Sequence, residues 1–200
     1  MLYKTLGTTD IEVSQFALGC WPFAGGKVWG VQEDSVSIET VHAALDKGIN
    51  FFDTAEGYDD DSHSEEVLGQ ALIKRRSDSV IATKISTSHL LPDLIEKTCE
   101  NSLRRLRSDY IDLYQIHWPN HDVAVEETLA VLLKLRDSGK IRSIGVCNFG
   151  VNDLTDALRS AKILTNQLPY NLLWRPIEVE ILPKCLKHDI GLICYSPLAQ

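Results

Sequence analysis

From about residue 16 to the end of the chain, short apolar runs alternate with segments whose apolar positions recur at helical spacing. The runs read as buried strands and the periodic segments as amphipathic helices. Phe16–Leu18 opens the series as a short strand. Ser35–Lys47 is predicted as a helix, with Asp34 as N-cap, Val36, Thr40, Val41, Ala44 and Leu45 on one face, and Gly48 as the stop. Strand Ile49–Asp53 follows, then a helix from Ser64 carrying Val67, Leu68, Ala71 and Leu72. Strand Ser79–Lys84 leads to a helix opened by Pro92, a residue that suits a first turn, with Leu94, Ile95, Leu103 and Leu106 as its apolar positions. Strand Tyr110–His117 leads to helix Val123–Ser138, ended by Gly139, and strand Ile141–Asn148 to helix Asn152–Ser160. Asn166–Tyr170 is a sixth strand, Pro176–His188 a helix, and Leu192–Tyr195 a seventh strand.

Strand–helix units repeated in this way imply parallel strands joined by helical crossovers. An open doubly wound sheet would be expected to carry G-x-G-x-x-G at its first strand–helix turn. The chain has Leu18-Gly-Cys-Trp-Pro-Phe-Ala-Gly-Gly26 there. Its polar side chains are also spread over successive strand ends. The expected fold is therefore an α/β (β/α)8 barrel of the TIM type, incomplete at about seven strands. Leu2–Leu6 and Ile11–Ser14 flank Gly7-Thr8-Thr9-Asp10 as an N-terminal β-hairpin expected to cap the barrel's far end. A complete barrel takes about 250 residues. The 200 residues are accordingly expected to form a single, C-terminally truncated barrel domain, with the edges of its first and last strands open.

Composition narrows the function. The chain is 44% hydrophobic and 24% charged, enough for one globular core. A net charge of −8 disfavours a nucleic-acid surface, and no apolar stretch approaches membrane-spanning length. The basic run Lys74-Arg75-Arg76 is expected to be a solvated helix tip. The start lacks the apolar core of a secretory signal, and five scattered cysteines without a C-x-x-C pair suit a reducing, cytoplasmic setting. Asp59-Asp60-Asp61-Ser62-His63 offers metal-ligand atoms but lacks EF-hand spacing, so a solvated acidic turn is expected and no metal.

Asp53, Lys84 and His117 end three successive strands, and Tyr58 follows Asp53 by five residues. In a parallel barrel those ends and the loops after them converge on one mouth, where chemistry is done. Taken singly, each residue has an ordinary explanation: a loop cap for Asp53, a loop aromatic for Tyr58, a structural histidine for His117. Lys84 is harder to dismiss, because a lysine aimed into a barrel mouth needs a partner. Together the four suggest a site for proton transfer.

These segments resemble the aldo-keto reductase family. Gly48-Ile-Asn-Phe-Phe-Asp53-Thr-Ala-Glu-Gly-Tyr58 with Ser64-Glu65-Glu66-Val-Leu-Gly69 is similar to its signature around the catalytic aspartate and tyrosine. Ile81-Ala-Thr-Lys84 resembles its lysine strand and Asp109-Tyr-Ile-Asp-Leu-Tyr-Gln-Ile-His117 its histidine strand. Lys140-Ile-Arg-Ser-Ile-Gly-Val-Cys-Asn148, Asn166-Gln167-Leu-Pro-Tyr-Asn171 and Tyr195-Ser196-Pro197-Leu198 resemble its cofactor-side segments. The likeness runs in order along essentially the whole chain and is closer to the bacterial and plant-type branches than to the vertebrate aldose reductases.

The resemblance implies reduction of aldehydes or ketones by hydride from NAD(P)H. Tyr58 would be the general acid, Lys84 would stabilise its phenolate, Asp53 would hold Lys84, and His117 would orient the carbonyl. The implied cofactor-binding residues are Gly19, Trp21, Asp53, Cys147, Asn148, Gln167, Tyr195, Ser196, Leu198 and Gln200. Tyr195 would stack on the nicotinamide, and Ser196, Leu198 and Gln200 would approach the pyrophosphate. Cys147 stands where the family usually has serine; a thiol bonds weakly, so looser cofactor orientation is expected. NADPH is the implied cofactor, with NADH also compatible, because the family's 2′-phosphate contacts fall after the seventh and eighth strands. The expected partner is a small carbonyl substrate, with no nucleic acid, no membrane and no specified oligomeric state. Trp21 and Trp29 are candidates for an apolar substrate wall. The alternatives are a non-catalytic cofactor-binding regulatory subunit of the same fold and an inactive truncated product. A metal-dependent hydrolase built on Asp53 and His117 is a further rival, disfavoured because Lys84 would repel a cation there.

Overall fold

A computed structural model describes residues 1–58 and 62–199. Strands β1 (Tyr3–Thr5) and β2 (Glu12–Ser14) pair antiparallel as the expected hairpin. The remaining elements are β3 (Ala17–Gly19), α1 (Gly26–Trp29), α2 (Asp34–Asp46), β4 (Phe51–Asp53), α3 (His63–Ala71), β5 (Val80–Ile85) and α4 (Pro92–Arg105), then β6 (Ile111–Ile116), α5 (Val125–Asp137), β7 (Ile141–Cys147), α6 (Val151–Ser160), β8 (Thr165–Pro169), α7 (Ile181–Lys187) and β9 (Gly191–Tyr195). Strands β3 to β9 form one parallel sheet in sequence order, the order a β/α barrel requires.

The sheet is rolled. The Gln167 amide on β8 donates to the Asp53 carboxylate on β4 at 2.7 Å. Those strands are four steps apart, about 19 Å in a flat sheet, so only curling can bring the side chains together. Among the described residues, seven strands of the eight in a closed barrel are present, and β3 and β9 each pair on one side only.

Strand alternation divides the apolar residues into two layers. Phe52, Ile81, Tyr114, Ile144 and Val146 face the helices and pack with Leu68, Ile95, Leu132 and Leu154. Phe51, Val80, Ala82 and Leu113 point inward and, with Leu164 just ahead of β8, pack against Leu6, Ile11 and Val13 of the hairpin. The hairpin therefore plugs the end where the strands begin, and Asn50 stitches it down through Ser14 N (2.7 Å) and Glu12 O (3.0 Å). That leaves the C-terminal strand ends free to build a site.

The helix stops fall where expected: Gly48 and Gly139 take φ of 83° and 80°, which a side chain would oppose. Other details differ. Glu33, not Asp34, is the N-cap of α2, and the Asp34 carboxylate instead meets His63 Nε2 at 2.8 Å. Val36 and Thr40 face outward, while Ser37 joins Val41, Ala44 and Leu45 on the buried side. The helix expected over 176–188 is two pieces, a short 3-10 turn at Pro176–Glu178 and then α7. Pro183 has no N–H to give to residue 179, so it is tolerated only in the first turn of a new helix. Arg76 is not part of a solvated tip. It lies beyond the end of α3 with its guanidinium over the Tyr110 ring and bonded to Asp112, at 2.7 Å, and to the Ser79 and Tyr110 carbonyls. Among the described residues no helix is long and apolar enough to cross a membrane.

Candidate active site

The inward-facing parity of the strands delivers the polar cluster. Ala17 and Gly19 lie opposite Phe51 and Asp53, Ala82 and Lys84 opposite Leu113 and Gln115, and Cys147 opposite Gln167. Along each strand every second residue looks into the barrel, and the last such residue stands at the mouth.

Lys84 is 1% exposed and fully engaged. Its Nζ donates to Asp53 Oδ2 at 2.7 Å, to the Thr54 carbonyl at 2.8 Å and to the Tyr58 hydroxyl at 2.6 Å. An ammonium has three donors, and here each has an acceptor. Tyr58 returns from a short 3-10 turn, Glu56–Tyr58, and donates its own hydrogen to Asp53 Oδ2 at 3.0 Å. The phenol is thus held between an ammonium and a carboxylate. Asp53 is in turn held at Oδ1 by Gln167, and its backbone carbonyl accepts from Cys20 N at 2.8 Å.

A second chain of bonds starts at β9. The Tyr195 hydroxyl donates to Asn148 Oδ1 at 2.8 Å, and Asn148 Nδ2 donates to the His117 carbonyl at 3.1 Å. Asn148 sits just past β7 at φ 60°, a conformation its side chain tolerates better than most. The His117 ring stands edge-on to Tyr58, with centroids 5.9 Å apart, and Trp21 stacks on Tyr58 at 5.7 Å. Trp29 closes edge-on against Trp21 at 5.6 Å. One wall of the mouth is therefore aromatic and partly open to solvent.

The electrostatics set protonation states. Burial first, and then the Asp53 carboxylate, hold the Tyr58 hydroxyl well above the ordinary tyrosine range. His117 is pushed down to about 4, chiefly by burial and then by the Lys84 charge, so its imidazole is neutral at physiological pH. Burial likewise keeps the Cys20 and Cys147 thiols protonated.

Asp53, Tyr58, Lys84, His117, Trp21, Cys147, Asn148, Gln167 and Tyr195 thus converge. Gly19 joins them as backbone, and a Cβ there would meet nothing within 4 Å, so the floor beside Asp53 is open. Ser196 and Leu198 do not join the cluster: the Ser196 carbonyl accepts from Asn171 Nδ2 at 2.9 Å, and Leu198 is 94% exposed. Gln200 and the acidic run 59–61 lie outside the described residues. Sequence reasoning missed the Thr54 carbonyl as the third acceptor of Lys84 and the Gln167–Asp53 bond. Inward parity was the signal for the latter, since both residues end inward-facing rows.

Residues 15–200 match the model of the Aldo/keto reductase family, and the chain belongs to that family. It is 40% identical over 210 residues to the aldo-keto reductase YhdN of Bacillus subtilis, covering 100% of this chain and 63% of the relative. It is 37% identical over 218 residues to the NADH-specific methylglyoxal reductase of Escherichia coli, covering 98% of this chain and 67% of that protein. A crystal structure of an aldo-keto reductase from Klebsiella pneumoniae in complex with NADPH superposes with a TM-score of 0.90 at 35% identity, covering 100% of this chain and 69% of that one. The chain thus spans about two thirds of the length of these proteins.

Proposed function

We propose that the protein reduces small aldehydes or ketones to alcohols with NAD(P)H, using Tyr58 as the proton donor. The observation that carries this reading is the hydrogen-bonded triad at the mouth, with the Tyr58 hydroxyl 2.6 Å from Lys84 and 3.0 Å from Asp53. No side chain donates hydride, so a bound nicotinamide would supply it.

The residues present fit such a group. A carboxamide needs one acceptor and one donor. Among the described residues Gln167 Oε1 meets only the weak Cys147 thiol, at 3.6 Å, and so keeps acceptor capacity. Asn148 uses one of its two amide hydrogens on the His117 carbonyl and keeps the other. The half-buried Tyr195 ring beside them offers a flat face. Asn148, Gln167, Tyr195 and Cys147 would hold the nicotinamide end, with Gly19 and Trp21 opposite. Support for both cofactors comes from the relatives, one named for NADH and one solved with NADPH.

The protein's part is proton transfer. Tyr58 is held protonated by its surroundings and arrives as the acid. When its O–H turns from Asp53 to a carbonyl oxygen, Lys84 remains bonded to the phenol oxygen and stabilises the charge developing there. Asp53 keeps Lys84 in place, and Gln167 keeps Asp53 in place. Neutral His117 can donate one N–H toward the same oxygen and fix the approach of the carbonyl. In the oxidative direction Tyr58 takes the proton back.

The substrate is a small carbonyl compound, and a cytoplasmic location agrees with the five unpaired thiols. The test is to mix the full gene product with NADPH or NADH and follow nicotinamide fluorescence, then add methylglyoxal. Aldehyde-dependent loss of reduced cofactor is expected. Cofactor binding with no oxidation of it would favour the regulatory subunit instead.

A further inference from the structure

We propose that Glu56 is the positioning residue that holds Tyr58 in register with Lys84, an inference that rests on the carbonyl-reductase reading above. A buried carboxylate is costly unless it is paired, and Glu56 is buried on the very turn that carries the phenol. Its Oε1 accepts from the Ser86 backbone N–H at 2.7 Å and lies 3.0 Å from His89 Nδ1. The Arg105 guanidinium stands 4.0 Å from the other oxygen. Ser86 immediately follows β5, two residues beyond Lys84. One carboxylate therefore ties the turn bearing the phenol to the strand end bearing the ammonium.

The same seam is closed sterically. A Cβ built on Gly57 would lie 2.5 Å from Ser86 Oγ and 3.9 Å from His117 Nδ1, but 3.8 Å from Ser86 Cβ. The turn rests directly on Ser86, and only the hydroxyl of that serine would obstruct an alanine at 57. Glu56 pulls the turn onto β5, and Gly57 lets it seat. The Ser62 hydroxyl, donating to the Glu56 carbonyl at 2.7 Å, fixes the turn's outer side.

The experiment measures kcat for aldehyde reduction and the dissociation constant of NADPH in the full gene product and its variants, with thermal melts as the folding control. Glu56→Ala is expected to lower kcat by about 10- to 100-fold, the scale of a misplacement of roughly 1 Å, with NADPH binding changed by less than about twofold. Glu56→Gln keeps an acceptor for Ser86 N–H and is expected to restore most of the rate. Gly57→Ala tests the seam with Glu56 intact: it is expected to slow turnover, and the added change Ser86→Ala to recover it. The inference is overturned by a folded Glu56→Ala protein with wild-type kcat, by Glu56→Gln as slow as Glu56→Ala, or by no recovery in the double variant. Should Glu56→Ala fail to fold, the Gly57 pair decides. An inactive parent protein would count against the carbonyl-reductase reading itself, separately from the variants.

Discussion

Replacing Lys84 with methionine removes the ammonium while keeping most of the side chain's volume. At the observed 2.6 Å, and an effective dielectric of about 20, the ammonium stabilises a Tyr58 phenolate by about 6 kcal/mol. At 3.0 Å the Asp53 carboxylate opposes it by about 5.5 kcal/mol. The two nearly cancel, leaving about 1 kcal/mol, which is why burial decides the resting protonation of the phenol. Lys84→Met removes one side of this balance, and the phenolate then faces Asp53 alone. If about half the proton has left the oxygen at the transition state, the barrier rises by about 3 kcal/mol, or roughly a hundredfold in rate. Single-turnover oxidation of bound NADPH on mixing with aldehyde measures this step directly, with a thermal melt to confirm folding. A folded Lys84→Met protein within about fivefold of the parent rate would refute the reasoning.

Two further outcomes separate chemistry from scaffold. His117 holds a folded-state value of about 4 against an ordinary 6.5, so between those values the unfolded chain binds more protons and stability falls as pH drops through the window. The loss approaches about 3 kcal/mol near pH 4, and His117→Gln should flatten it in denaturant unfolding measured across that range; an unchanged acid limb would contradict the assignment. Asp112 sits at the opposite end of β6 from His117, bonded to Arg76, Arg142 and Ile81 N. Asp112→Ala should cost about 3 kcal/mol in stability while leaving the kcat of the folded protein unchanged; a lowered kcat at native stability would place Asp112 in the chemistry.

Much of this architecture was legible in the chain because barrel units are local. Each strand, its helix and the stop glycine lie within a few tens of residues, so hydrophobic period and turn chemistry sufficed for Gly48, Gly139 and every strand of the sheet. Asp53, Lys84 and His117 could be assigned to one mouth because all three end inward-facing rows. What escaped was set by contacts far apart in sequence. Arg76 looked like a surface charge until Asp112, on the neighbouring strand, was placed beside it. The restart of the last helix needed the missing N–H of Pro183 to be weighed against a promising apolar pattern.

The central claim is that the Tyr58 hydroxyl delivers the proton that completes carbonyl reduction. Tyr58→Phe keeps the ring against Trp21 and His117 and deletes only the oxygen between Lys84 and Asp53. NADPH affinity and aldehyde turnover measured side by side in that variant give the direct test. Binding close to that of the parent, with turnover reduced by about 100- to 10,000-fold, is the predicted result. Aldehyde reduction at near-parental rate would contradict the claim.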